Sequence, residues 1–181
     1  MRWSRIRKVA RVLTPILLAP LIYLAWQWSG GNFGAVEPGA VYRSGQLGPE
    51  ALKRAIQAHR IKTVLNLRGR NPDQPWYRDE LSATLESGVT HIDLPLSSDY
   101  WLTREQAEVL TDVLQTCERP VLVHCEWGAE RTGLASAFVE LLRPGRTLND
   151  ARRQFSIGYL YLPTRDSLVM RGHIDHYADW L

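Results

Sequence analysis

The chain is 181 residues long, enough for one domain with a real core or one domain plus an anchor. Hydrophobic residues make up 45% and charged residues 23%, ordinary for a globular protein, and no internal repeat or low-complexity tract is visible. The net charge of +3 comes from Arg2, Arg5, Arg7, Lys8 and Arg11; without them 17 basic residues face 19 acidic ones, so the basic balance belongs to the tail and speaks against nucleic-acid binding.

Residues 1–11 form that basic tail. Val12–Trp28 follows, VLTPILLAPLIYLAWQW, apolar except for Thr14 and Gln27. Three readings compete. A cleaved signal peptide needs a small-x-small site, and Trp26, Gln27 and Trp28 stand where it would fall. A buried helix fits badly with clustered cations and with Pro15 and Pro20. A membrane anchor needs roughly 17–25 apolar residues. It tolerates prolines, and Tyr23, Trp26 and Trp28 would form its aromatic belt. The sequence therefore predicts an uncleaved single-pass anchor over residues 12–28. The basic flank stays in the cytoplasm and the rest lies outside it, on the periplasmic side in a bacterium.

Residues 29–39, with Gly30, Gly31 and Gly34, read as a flexible linker, and residues 40–181 as the folded domain. Ala40–Tyr42 is a short strand. Pro49–His59 is helical, with Pro49 in the first turn. Ile61–Leu67 has the branched, apolar pattern of a buried strand. Trp76–Ser87 is a helix closed by Gly88, and Val89–Leu94 a strand. Thr103–Cys117 is an amphipathic helix with Thr103 and Gln106 set for a capping box. Val121–His124 is a strand, Arg131–Leu142 a helix ended by Pro144-Gly145, and Thr147–Phe155 and Asp166–Trp180 two more helices. The alternation predicts an α/β fold, a central mostly parallel sheet flanked by helices, here preceded by the anchor. Ligands bind such sheets beyond the carboxyl ends of the strands, where Val121–His124 delivers Cys125.

Hydrolysing a phosphoester without metal requires an ionised nucleophile, dense positive potential and an acid for the leaving oxygen. His124-Cys125-Glu126-Trp127-Gly128-Ala129-Glu130-Arg131-Thr132-Gly133 offers the first two. A free thiol ionises near pH ~8.5, and helix N-termini and cations bring that down. Successive backbone N–H groups between strand and helix form an anion nest, to which the helix adds its positive end. Gly128 lets the loop curl. Arg131, six residues on, binds two phosphate oxygens at once. Thr132 supplies a hydroxyl for the thiolate, Gly133 permits close packing, and His124 orients the loop. A core cysteine with a chance arginine is the plain alternative. The flanking His, Gly and Thr-Gly weigh against it.

HCEWGAERTG resembles the signature of the protein-tyrosine-phosphatase superfamily. Tyr42-Arg43-Ser44-Gly45-Gln46 and Asn66-Leu67-Arg68 are similar to its bacterial dual-specificity-like branch. The resemblance spans about residues 40–160. It implies a phosphocysteine intermediate, Cys125 and Arg131 as catalytic residues, residues Glu126 to Arg131 around the phosphate, no metal or cofactor, and an aspartate acid on a separate upstream loop. In LPLSSDYW that acid is Asp99, four residues past Pro95; Asp93, inside a predicted strand, is the rival. Glu126 and Glu130 depart from the pattern and oppose a polyanionic substrate. Trp127 is bulky at a usually small position and either walls the pocket or packs on the surface.

Other features have plainer readings. Cys117 is read as a buried helix cysteine ahead of a protective disulfide partner. Arg43 and Arg68 either extend the pocket's positive potential or are surface arginines. His173 and His176 sit on a solvated helix face rather than at a metal. The expected function is a cysteine-dependent phosphomonoesterase acting on phosphotyrosine or other phosphorylated protein. The alternatives are a membrane-associated lipid or small-molecule phosphatase and a non-catalytic phosphate-binding pseudophosphatase.

Overall fold

The computed structural model describes residues 14, 18–20, 22–25, 27–98, 100–163 and 167–178. Five strands, β1 (Gly34–Glu37), β2 (Val41–Ser44), β3 (Thr63–Asn66), β4 (Thr90–Asp93) and β5 (Val121–His124), form one sheet in the order β1-β2-β5-β3-β4. β2, β5, β3 and β4 run parallel, and β1 adds an antiparallel edge to β2. The α/β architecture with a mostly parallel sheet is as expected. The first strand was not: Gly34–Glu37 lies in the stretch that reads as linker, because three glycines hide a four-residue edge strand.

The helices are α1 (Pro49–His59), α2 (Pro75–Glu86), α3 (Arg104–Thr116), α4 (Glu130–Leu142), α5 (Leu148–Arg152) and α6 (Ser167–Tyr177), with a 3-10 turn at Ile157–Tyr159. The α3 capping box forms as its sequence predicts: Thr103 Oγ1 accepts from Gln106 N while Gln106 Oε1 accepts from Thr103 N. Side chains alternate across the sheet. Leu65, Val121 and Val123 join α3, α4 and α6 in the larger core, whereas Val64 and Leu122 pack with Leu52 and Ile56 of α1 on the other face. β5 is the central strand, with neighbours on both sides, and is fully buried, so the loop that follows it leaves from the middle of the sheet. α4 is buried from Thr132 to Glu140, and its small residues admit close neighbours; a Cβ on Gly133 would lie 3.0 Å from Phe155 Cε1.

The membrane anchor expected over residues 12–28, and with it the placement of the domain outside the cytoplasm, is not upheld. Among the described residues no helix is long and apolar enough to cross a membrane. The described part of the segment also has another use, since its last turns dock on the fold. Gln27 is buried and its Nε2 donates to Gly158 O at 2.7 Å, Tyr23 Oη donates to the same oxygen at 3.3 Å, and Trp28 packs on Trp127. Aromatic residues that sequence alone reads as a lipid belt include some that face the protein.

Candidate active site

Cys125 follows β5 directly and is buried. The loop from Cys125 to Ala129 runs into the N-terminus of α4, and its path is set by where its carbonyls go. Gln46 N donates to Glu126 O at 3.0 Å, Asn32 Nδ2 to Trp127 O at 2.9 Å, and Arg43 Nη2 to Gly128 O at 2.8 Å. A trans peptide points its N–H opposite to its C=O. Three outward carbonyls therefore turn the N–H groups of Trp127, Gly128 and Ala129 toward the inside of the loop, which is the geometry of an anion nest. Gly128 has φ +69, and a Cβ there would lie 2.5 Å from Gly45 N and 2.6 Å from Ser44 C. No other residue fits that bend.

The donors are themselves anchored. Arg43 is fully buried on β2, its Nη1 donates to Gln154 O at 2.9 Å and Gln154 Oε1 at 2.8 Å, and its guanidinium lies 3.8 Å from the Tyr159 ring centre. Burial lowers its pKa to about 10, so it remains a cation at neutral pH. It is a strut beneath the loop, not a surface arginine. Asn32 bridges Trp127 O and Tyr159 O. Gln46 also accepts from Arg68 Nη1 at 3.0 Å and donates through Nε2 to Glu80 Oε2.

Glu80 of α2 is 3% exposed. Its Oε1 accepts from His91 Nε2 at 2.8 Å and from His124 Nε2 at 3.2 Å. Burial alone would raise its pKa; the hydrogen bonds from His124 and His91 outweigh that and hold the carboxyl at about 2. His124 is thus held through Nε2 by a carboxylate of α2. Sequence reasoning missed Glu80, although the signal was there. Tyr77, Glu80 and Thr84 stand at helical spacing on one buried stripe of α2, which marks a charged residue on an inward face.

Cys125, Trp127, Ala129, Glu130 and Arg131 line a cleft of about 310 Å³ whose far wall includes Leu160 and Leu162. Arg131 also borders a polar cleft with Arg68, Asn71 and Trp76, in which Arg68 stacks 3.5 Å from the Trp76 ring centre and 3.7 Å from Glu126. Burial lowers the Arg68 pKa, with nearby Glu126 opposing and Arg131 reinforcing the shift. Thr132 is buried with its hydroxyl toward Ser44 O at 3.4 Å. Asp99 lies outside the described residues. Asp93 ends β4, where its two oxygens accept from Asn66 Nδ2 at 2.8 Å and Tyr77 Oη at 2.5 Å. Burial and that bond push the Tyr77 hydroxyl up to about 12. His173 is buried and accepts from Leu102 N, and Asp175 pairs with Arg152 at 2.8 Å. Cys117 caps α3 as a free thiol whose pKa burial raises. Among the described residues no cluster of His, Cys, Asp or Glu could hold a metal ion.

A family model described as DSP-PTPase phosphatase fused to NAD+ kinase matches residues 17–158. The chain belongs to this phosphatase family. The match begins inside the stretch first read as an anchor, in keeping with its docking on the fold. Among solved structures, this phosphatase is similar to TpbA of P. aeruginosa, with 27% identity, 82% of this chain and 89% of that chain covered, and a TM-score of 0.61. It is similar in fold to the core catalytic domain of the PP-IP phosphatase Siw14 from S. cerevisiae in complex with citrate, at 19% identity, 82% and 91% coverage and a TM-score of 0.59. A structure of a phosphatase from Neisseria meningitidis shares the fold at 21% identity, 72% and 91% coverage and a TM-score of 0.55. No curated protein matches.

Proposed function

We propose that this phosphatase hydrolyses phosphomonoesters on protein, phosphotyrosine foremost, through a phosphocysteine intermediate. The observation that supports it best is the loop whose three carbonyls are turned outward to Gln46, Asn32 and Arg43, around a cleft lined by Cys125 and Arg131. The inward amides, the N-terminus of α4 and Arg131 hold the phosphoryl oxygens in residues Glu126 to Arg131. The Cys125 thiolate attacks phosphorus. The S–P bond forms as the ester O–P bond breaks, and Asp99 gives its proton to the leaving oxygen. Water then attacks the phosphocysteine, passes a proton back to Asp99 and releases phosphate and thiolate. His124, Thr132 and Gly133 support the loop.

The neighbours differ in substrate: TpbA has been captured with pTyr, and Siw14 is a PP-IP phosphatase. Glu126 and Glu130 on the loop oppose a polyanion and favour the former reading here. Cys125→Ser will abolish hydrolysis of p-nitrophenyl phosphate with the circular dichroism spectrum unchanged; retained turnover sinks the mechanism. Asp99→Asn will slow alkyl phosphates more than aryl phosphates, by about 10²–10⁴-fold for a lost general acid. The same leaving-group signature from Asp93→Asn would move the role there. Its two hydrogen bonds make loss of stability the expected effect instead.

A further inference from the structure

We infer that a second cleft beside the catalytic one is a substrate subsite, binding the residue that flanks the phosphorylated side chain of a peptide and favouring a basic one. The inference rests on the protein-phosphatase reading above. The cleft holds about 210 Å³ and is walled by Trp28, Trp127 and Leu160, with Asn32, Gln46 and Glu126 supplying its polar groups. Trp127 and Leu160 also line the catalytic cleft, so the two clefts meet across one shared rim. The volume falls below the roughly 300–1,000 Å³ of sites for whole small ligands and suits one side chain of something bound next door.

The chemistry of the walls defines that side chain. Trp28 and Trp127 are 62% and 56% exposed, with ring centres 5.1 Å apart at 35°. They offer indole surface to an aliphatic stem and to a cation. Among the residues lining the cleft, Glu126 alone carries a charge; it is half-exposed and only loosely paired with Arg68 at 3.7 Å. A Lys or Arg side chain satisfies both features, whereas a second phosphate or a carboxylate would meet Glu126 with like charge.

The wall is also held in place beforehand. Gln27 Nε2 donates to Gly158 O, Gly45 N donates to Gly31 O at 2.8 Å, and Asn32 Nδ2 donates to Trp127 O. Trp28 is therefore fixed to the same loop that receives the phosphate, and little order has to be gained on binding.

The test compares the full chain on p-nitrophenyl phosphate and on two phosphotyrosyl peptides that differ only in a flanking Lys or Glu. The Lys peptide will have the higher kcat/KM by about tenfold, the sum of one exposed cation–π contact and one surface ion pair. Trp28→Ala and Glu126→Gln will each cut that ratio about threefold, the share of one such contact. Trp28 is exposed, so its loss leaves the core intact, and Glu126→Gln provides an independent variant. Hydrolysis of all three substrates without a flank preference, or a preference that survives both substitutions, overturns the subsite alone. Faster hydrolysis of a phosphoinositide in phosphatidylcholine vesicles than of either peptide overturns the peptide occupant. Failure on every substrate overturns the phosphotyrosine reading and the subsite with it.

Discussion

Glu80 shows how much of this site is decided one side chain away from it. A carboxylate that is 3% exposed and holds two histidines is ionised where an unfolded chain's glutamate would be protonated. Its pKa is about 2 in the fold against an ordinary 4.5, so the native state binds fewer protons than the unfolded state between those values. The stability it contributes is complete above about pH 4.5 and is lost as pH falls toward about 2, a change on the order of 3 kcal/mol. Glu80→Gln keeps one acceptor and loses the charge. Urea unfolding from about pH 5 to pH 3 should then show a flatter dependence on pH than the wild type. An unchanged slope would mean that the two histidines do not hold Glu80 ionised.

At the scale of elements, the loop between β5 and α4 is a bend that only Gly128 can make. Its missing Cβ would meet backbone atoms of Ser44 and Gly45 within 2.7 Å, and backbone does not give way as a flexible side chain does. Gly128→Ala should lower kcat/KM on aryl phosphates by at least about 10²-fold, the cost of an ångström's misplacement of reacting groups. Vanadate inhibition should weaken with it; wild-type kinetics would show that the loop can reach its working shape another way. This bend was legible in the sequence, as were β5, the limits of α1 and the capping box of α3. All of these depend on residues within a few positions of one another. The struts were not legible. Arg43 lies 85 residues from the Gly128 carbonyl it holds, and Asn32 lies 95 from the Trp127 carbonyl. Periodicity and spacing carry no information across such separations, so Arg43 could not be told from a surface arginine. The anchor was misread for a related reason: composition does not show whether an apolar segment forms one long continuous helix, which no helix among the described residues is, nor that Gln27 reaches Gly158, 131 residues away.

For the molecule as a whole, the N-terminal segment is part of what keeps the loop in shape. Deleting residues 1–32 removes Gln27, Trp28 and Asn32 together, leaving the carbonyls of Trp127, Gly158 and Tyr159 without those donors. At about 1 kcal/mol for each of these three hydrogen bonds and about 2–4 °C per kcal/mol for a chain of this size, the melting temperature should fall by roughly 6–12 °C. An unchanged melting temperature would show that the segment only rests on the fold. The loop's charges also divide by depth. Arg131 is partly exposed and Arg68 borders an open polar cleft, while Arg43 is wholly enclosed and held by neutral partners. Dissolved ions screen the first two within about 10 Å at 0.1 M, and a buried charge far less. On the function proposed above, the pull of this loop on phosphate has a part that salt weakens and a part, set by Arg43, that persists in concentrated salt.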